Sequence, residues 1–427
     1  MKKVGKKFWA LWVAQIISLL GSHMSSFALG ISFFKETQSI FIYSLFPLFT
    51  ILPEVLLAPI LGVFVDRWNR KKAMIIGHLG AGICMLLVIL SVYIGNSNIY
   101  FILPLIAISS VFNGFMFPAF IATTSQIVSR NELSKASAIL QFGFALVFII
   151  SPALAGSLLS SLGINFIFLM DVVSFSLAII IVLRIKIDPI TSDEKERSSF
   201  KAFKNELKES ISYIKKEPLL VFTLIIIAIA NFNTGIINVL ITPLVLGVSD
   251  SSVLGIVLSI AGIGFLIGSI VLMIIGDIKG RVKILLMLGV IQGIVFLLVC
   301  FSTSLILVEV GAFVFMICMG LIGGLNMVIW QQKVPQEMQG RVFSIRTLVL
   351  GTMMLLGFLS SGQLTENVFL PLINRKSFFN PFFADLIGKS PYPEIEALLL
   401  VLGLGTIISL ISIYIIMRFC YRQVLVK

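Results

Sequence analysis

The sequence predicts an all-α integral membrane protein, with twelve transmembrane helices in two six-helix pseudo-repeats. Three observations carry that expectation. Apolar residues make up 58% of the chain and charged residues only 12%, whereas a soluble domain is about half apolar and a quarter charged. Mostly apolar windows of about 20 residues, the length that crosses a bilayer, recur along the whole chain. The cations collect in every second segment between those windows.

The windows fall at about 8–34, 39–65, 73–94, 99–124, 136–160, 164–184, 219–246, 252–276, 283–303, 305–330, 342–365 and 396–420. The first is too long, and too poor in a cleavage site, for a removable signal peptide, so it is expected to stay as span one. An even number of spans puts both termini on one side. If that side is cytoplasmic, only Lys35, Arg375, Lys376 and Lys389 of the 32 Lys and Arg residues lie in outer segments, as retention of cations on the inner face requires. The net charge of +12 then reports topology and attraction to anionic lipid. It is not read as a nucleic-acid footprint, because no basic stripe is interleaved with aromatics.

The long polar interruption, residues 185–218, divides the chain. DPITSDEKERSS reads as a linker. Behind it Phe200, Phe203, Leu207, Ile211 and Ile214 recur at steps of three and four, the period of an amphipathic helix on the inner membrane surface. Pro218 suits the start of the next span. The expected domains are therefore residues 1–184, the linker 185–218, and residues 219–427. The two halves echo each other. Asp66, Arg67, Arg70 and Lys71 follow span two, and Asp277, Gly280, Arg281 and Lys283 follow span eight; Val128 and Lys135 correspond in the same way to Val334 and Arg341. Two six-span halves around a substrate path are a recurrent transporter plan. The outer segment 366–395, with SFFNPFFADLIG, is expected to hold a short helix that anchors on the outer leaflet, with a cap over the outer mouth as the alternative.

Several function classes find no support. Cys84, Cys300, Cys318 and Cys420 show neither disulfide nor zinc spacing, and His23 and His78 are too far apart for a metal cluster. There is no phosphate-binding loop and no nucleophile–base pair. No cofactor and no enzymatic activity are expected.

The stretch ILGVFVDRWNRKK, residues 60–72, carries the most information. Gly62, Asp66, Arg67, Arg70 and Lys71 stand in the register G-x-x-x-D-R-x-G-R-K, which resembles the signature loop of the major facilitator superfamily. Asn69 replaces the second glycine, and asparagine also tolerates a left-handed turn. The resemblance implies that Asp66 latches an inner gate near the start of span eleven, where a helix N-terminus attracts an anion, with Asp277, Arg281 and Arg341 as counterparts. A plain positive-inside anchor is the alternative. WQQKVPQEMQGRVFS (330–344), PAFIATTSQIVSRNELSKASA (118–138) and SGQLTENVFLPL (361–372) are similar to drug/proton antiporters of the macrolide-efflux type. Ser151, Pro152, Ala155 and Gly156 form a loosened version of the G-P-x-x-G-G motif of antiporter members. The arginine that many such antiporters carry in span four is missing from the run Ser110, Val111, Phe112, Asn113, Gly114.

Ionisable groups at membrane depth are functional candidates by default. Glu54 stands eleven residues before the inner end of span two, roughly 16 Å deep at 1.5 Å per residue, between Pro53 and Pro59. It is the first candidate for proton coupling, against a neutral carboxyl hydrogen-bonded to a neighbouring helix; Asp171 reads equally as a second proton site or a structural cap, and His23 as a packed, singly hydrogen-bonded histidine before a partner of Glu54. Gln15, Asn113, Asn231, Asn233 and Trp330 are candidates for the substrate path, although amides also bridge helices without touching substrate.

The resulting expectation is a monomeric secondary transporter in a bacterial plasma membrane, with both termini cytoplasmic and lipids around it. It would export a lipophilic small molecule against protons by rocking its two halves. The alternatives are a lysophospholipid facilitator or flippase and a non-transporting membrane sensor.

Overall fold

The computed structural model describes residues 5–67, 70–95, 98–129, 132–185, 200–275, 280–301, 304–374 and 391–420; within its helices the side chains of 58–67, 117, 134, 200–207 and 420 are outside that description. The described residues are helical throughout, apart from short connections. In order they form α1 (Lys6–Thr37), α2 (Ile40–Arg67), α3 (Arg70–Tyr93), α4 (Ile99–Ile127), α5 (Leu133–Ser161), α6 (Ile164–Arg184) and α7 (Phe200–Lys216). There follow α8 (Pro218–Leu246), α9 (Ser251–Ile275), α10 (Arg281–Cys300), α11 (Leu305–Lys333), α12 (Gln336–Leu364), a π-turn (Thr365–Phe369), α13 (Leu370–Asn374) and α14 (Pro393–Cys420). Twelve of these segments are long and apolar enough to cross a membrane. Only helices satisfy every backbone polar group within one strand of chain in hydrocarbon, so apolar runs of this length fold this way.

Local chemistry sets the ends. The Asn98 side chain accepts from the Tyr100 amide at 2.9 Å and opens α4. Pro218 opens α8, where its missing N–H costs no helical hydrogen bond. Gly163 and Gly280, at φ 78° and 71°, make the left-handed turns before α6 and α10.

The chain groups into two compact units. The first comprises Met1–Gln38, Leu45–Lys195 and Asp250–Ser259; the second comprises Ser39–Ser44, Glu196–Ser249 and Ile260–Lys427. Short pieces of α2 and α9 thus cluster away from the rest of their own helices. In the first unit α1 packs on α5 and α6, and α3 on α4 and α6, around Phe8, Leu11, Met74, Phe120 and Ala136. In the second, α8 packs on α12 and α10 on α11 and α14, around Trp330, Leu285, Ile322, Val342 and Met417. The α8–α12 pair comes close because two glycines face it. A Cβ on Gly235 would lie 2.3 Å from the Met354 carbonyl oxygen, and one on Gly357 2.4 Å from that of Phe232. Small residues at such crossings let membrane helices gain packing contacts.

Two expectations change. Span eleven starts at Gln336 rather than 342, and the helical path continues through the π-turn and α13 to Asn374. Arg341 is therefore helical, and the first part of segment 366–395 continues α12. The stretch SFFNPFFADLIG lies outside the described residues. The amphipathic helix forms as the periodicity predicts, but its described half is tied to protein. Ser210 and Ile214 are buried, Tyr213 donates to the Lys333 carbonyl at 2.8 Å, and Glu209 and Glu217 pair with Arg341 and Lys333 at 4.0 and 3.8 Å. Burial and the Glu217 charge push the Tyr213 hydroxyl pKa up.

Candidate functional site

The cations of the signature loop act on neighbouring helix ends. Only residues 68–69 separate α2 from α3. Arg70 donates to the Ala122 carbonyl at 2.6 Å and reaches Gln126 Oε1 at 3.5 Å, both in the last turns of α4. Lys71 Nζ donates to the carbonyls of Leu183 and Ile185 at 2.7 and 2.8 Å, capping α6. Cations are stabilising at helix C-termini, where carbonyls are unpaired and the macrodipole is negative. The second half repeats the first contact. Arg281, the first residue of α10 as Arg70 is of α3, donates to Gln332 Oε1 at 2.5 Å in the last turn of α11. The backbones of Gly62, Asp66 and Arg67 form the last turns of α2. Their side chains, and all of Asp277, lie outside the described residues.

The small residues of α5 sit at a close helix contact within the first unit. A Cβ on Gly156 would fall 2.2 Å from the Ser251 carbonyl oxygen and 3.2 Å from Gly255 Cα, and one on Gly255 2.3 Å from the Pro152 carbonyl oxygen. Ser259 donates to the Ile149 carbonyl at 2.5 Å and Ser252 to that of Gly156 at 3.4 Å. Pro152 frees part of the α5 backbone, and α9 comes close on that side. Ser151 and Ala155 are buried, Ala155 in a cluster with Met24 and Ala28 of α1 and Ile167 of α6.

The ionisable candidates separate. Glu54 is exposed on α2 and makes no hydrogen bond or ion pair among the described residues. Asp171, only 1% exposed, is buried between α6 and α1. Ser174 reaches its carboxyl at 3.5 Å, the hydroxyls of Ser22 and Ser25 face it, and Gly21 leaves the room it occupies. No cation pairs with it among the described residues. His23 does not meet Glu54; its ring stands edge-on to Phe148 at 4.9 Å. His78, which the sequence offered only as a metal ligand to be dismissed, is the buried histidine with a hydrogen bond, between Nδ1 and Ser18 Oγ at 3.3 Å. Ser18, Gly21, Ser22 and Ser25 share one stripe of α1, so His78 and Asp171 border a single polar seam in an otherwise apolar bundle.

The path candidates divide as well. Asn233 is buried and donates to Thr406 at 2.9 Å, joining α8 to α14. Trp330 is fully buried with its indole N–H on Thr223 Oγ1 at 3.2 Å. Both side chains are thus engaged in bridges between helices. Gln15 is buried with Nε2 unpartnered. Asn113 and Asn231 remain partly exposed, and Asn231 donates to its own helix at Ile227. Asn238, unremarked in the sequence, is exposed two turns from Asn231 on the same helical face.

Two charged residues were missed, Glu366 because it was assigned to a segment between spans, and Arg346 although it falls inside the expected window 342–365. Glu366 accepts from Ser39 Oγ at 2.9 Å and from the Phe41 amide at 3.0 Å, capping the N-terminus of α2 within the second unit. Arg346 lies inside α12 and donates through Nε to Asn326 Oδ1 at 2.9 Å. The signal for Glu366 was the continued helical period through TENVFLPL, and for Arg346 its place as a cation inside an apolar window.

Residues 11–358 match the Major Facilitator Superfamily. The chain belongs to that superfamily. Macrolide efflux protein A of Streptococcus pyogenes is 26% identical over 382 residues, covering 85% of this chain and 90% of that protein. The uncharacterized MFS-type transporter YfiS of Bacillus subtilis is 24% identical over 380 residues, 84% of this chain and 87% of that one. Among solved structures, a bacterial homolog of the human lysosomal transporter Spinster aligns over 99% of this chain and 98% of its own, with TM-score 0.69 at 13% identity. The nucleoside transporter NupG aligns over 97% and 100%, with TM-score 0.69 at 12% identity. These likenesses establish the fold.

The protein is thus a multi-pass transporter of the major facilitator superfamily rather than an enzyme. Glu54 and the Asp171 seam in the first unit, and Asn238, Asn231 and Arg346 in the second, are polar or ionisable groups carried on helices long and apolar enough to cross a membrane.

Proposed function

We propose that this major facilitator transporter exports a lipophilic, macrolide-like small molecule from a bacterial cell in exchange for protons. The observation that carries export is the 26% identity to Macrolide efflux protein A over 85% of the chain. Proton coupling is assigned to Glu54. It stands within an apolar span, exposed from the protein and without a partner among the described residues, so that it is open to a proton or a ligand. Asp171 is the second proton site. A carboxylate among hydroxyls with no cation beside it is expensive to keep charged in a low-dielectric interior, and binding a proton relieves that cost. Alternating access proceeds by rocking residues 1–184 against 219–427, with both termini cytoplasmic and Asp66 latching the inner ends. Active protein is a monomer.

The test is export measured in everted vesicles. A proton gradient drives accumulation of a macrolide or a lipophilic dye, and an uncoupler abolishes it. Accumulation that requires ATP hydrolysis contradicts the reading.

A further inference from the structure

Arg346 is ten residues into α12, about 15 Å along the helix from Gln336 at 1.5 Å per residue. A guanidinium inside a span costs several kcal/mol unless something answers its charge. Its setting is built from three helices of the second unit. Nε donates to Asn326 Oδ1 at 2.9 Å. Asn326 is itself held by donating Nδ2 to the Thr223 carbonyl at 2.9 Å. The guanidinium carbon stands 5.8 Å from the centre of the Trp330 ring, and that ring is fixed by its N–H on Thr223 Oγ1 at 3.2 Å. Thr223, Asn326 and Trp330 are all fully buried, while Arg346 is only partly covered. The floor beneath the arginine is buried and hydrogen-bonded, and the arginine itself is partly exposed.

The feature that matters is what this arrangement leaves over. Among the described residues Arg346 joins no ion pair, unlike Lys333 with Glu217 and Arg341 with Glu209. Its two terminal nitrogens make no hydrogen bond among the described residues; Nε alone is used. Asn326 accepts from the arginine and brings no charge, so it orients the fork without neutralising it. A structural arginine would spend its terminal nitrogens on carbonyls or a carboxylate, as Arg70 does at the end of α4. The planar fork of an arginine matches the two oxygens of a carboxylate or phosphate. Ring contact with Trp330 also lowers the cost of holding the cation there between ligands.

We propose that Arg346, oriented by Asn326 and Trp330, is a binding site for the carboxylate or phosphate group of an amphipathic ligand. Selectivity for an anionic group is not part of the export reading. The site rests on that reading only in calling its ligand a substrate. Two sources share the chemistry: a soluble amphipath and the headgroup of a bilayer lipid.

The test is equilibrium binding to the purified full-length protein in phosphatidylcholine nanodiscs, read by tryptophan fluorescence. The probes are dodecyl phosphate, dodecanoate, dodecyltrimethylammonium and inorganic phosphate. The two anionic amphipaths are expected to bind at least about tenfold more tightly than the cationic one, the worth of a charged hydrogen-bonded contact. Arg346→Gln removes that preference. Arg346→Lys keeps the charge without the fork and weakens binding several-fold; it carries the test should the glutamine variant not fold. Inorganic phosphate alone binds weakly, because it lacks the apolar part. Repeating the titration in phosphatidylglycerol nanodiscs separates the sources. Competition by that lipid identifies a headgroup as occupant, and unchanged affinity identifies a soluble ligand. Equal binding of the cationic and anionic probes, or unchanged affinity in the folded Arg346 variants, overturns the proposal. Because no gradient or transport is measured, failure of the export reading leaves this result intact, and failure here leaves that reading standing.

Discussion

Gly156→Ala adds one methyl group at the tightest point of the α5–α9 contact. The added Cβ would lie 2.2 Å from the Ser251 carbonyl oxygen, more than 1 Å inside an ordinary contact. The obstacle is backbone, which no rotamer change can move aside, so one helix has to shift. Overpacking of this kind costs roughly 1–3 kcal/mol, from which the better helix propensity of alanine returns at most about 1 kcal/mol. The control is Gly323→Ala, in α11, where an added Cβ meets nothing within 4 Å; only the propensity gain applies there. In thermal unfolding of detergent-solubilised protein, Gly156→Ala is expected to melt several degrees below the wild type and Gly323→Ala at or above it. A state in which these two backbones touch is disfavoured by the same energy, about five- to 150-fold in population, and transport slows accordingly. If both variants melt and transport alike, the close contact does not exist in the working protein and the packing role of the Pro152–Gly156 segment is wrong.

Other outcomes follow from particular contacts. Glu54→Gln keeps size but cannot titrate, so substrate exchange is expected to survive while gradient-driven accumulation falls; unchanged accumulation removes Glu54 from coupling. Lys71→Ala strips two carbonyl caps from α6 and is expected to cost about 0.3–2 kcal/mol, visible as a lower melting temperature that Lys71→Arg largely restores. Cysteines introduced at Asn96 and Ser192 are expected to label from outside and only from inside, respectively, and the reverse pattern contradicts the topology. Asp66→Asn is expected to insert normally and transport poorly; full transport reduces the loop to an anchor.

Most of the fold was legible because hydrocarbon admits few solutions. Twelve apolar windows, one polar interruption and one-sided cations left little else to build. The start of α12 was hidden for a physical reason. Its first turns carry Gln336, Glu337, Gln339 and Arg341, which a hydropathy window reads as loop. These residues meet protein instead: Gln339 donates to the carbonyls of Gln331 and Val334 at 3.1 and 3.0 Å, and Arg341 faces Glu209. That Glu54 and Asp171 fall within apolar spans was readable from the sequence, but their surroundings depend on which helices pack together. A single sequence could not show that serines of α1 face Asp171 while His23 faces Phe148. The halves' resemblance was readable in the loops after spans two and eight, and the matching contacts of Arg70 and Arg281 give it a structural counterpart.

The central claim is proton-coupled export, and one experiment addresses it most directly. Purified protein is reconstituted in proteoliposomes with a macrolide outside and an imposed pH gradient, acid inside, and drug accumulation is followed beside internal pH. The account predicts that accumulation and loss of internal acidity occur together, that both collapse with an uncoupler, and that Glu54→Gln and Asp171→Asn uncouple them. Accumulation that leaves the internal pH unchanged, or that persists without any gradient, contradicts it.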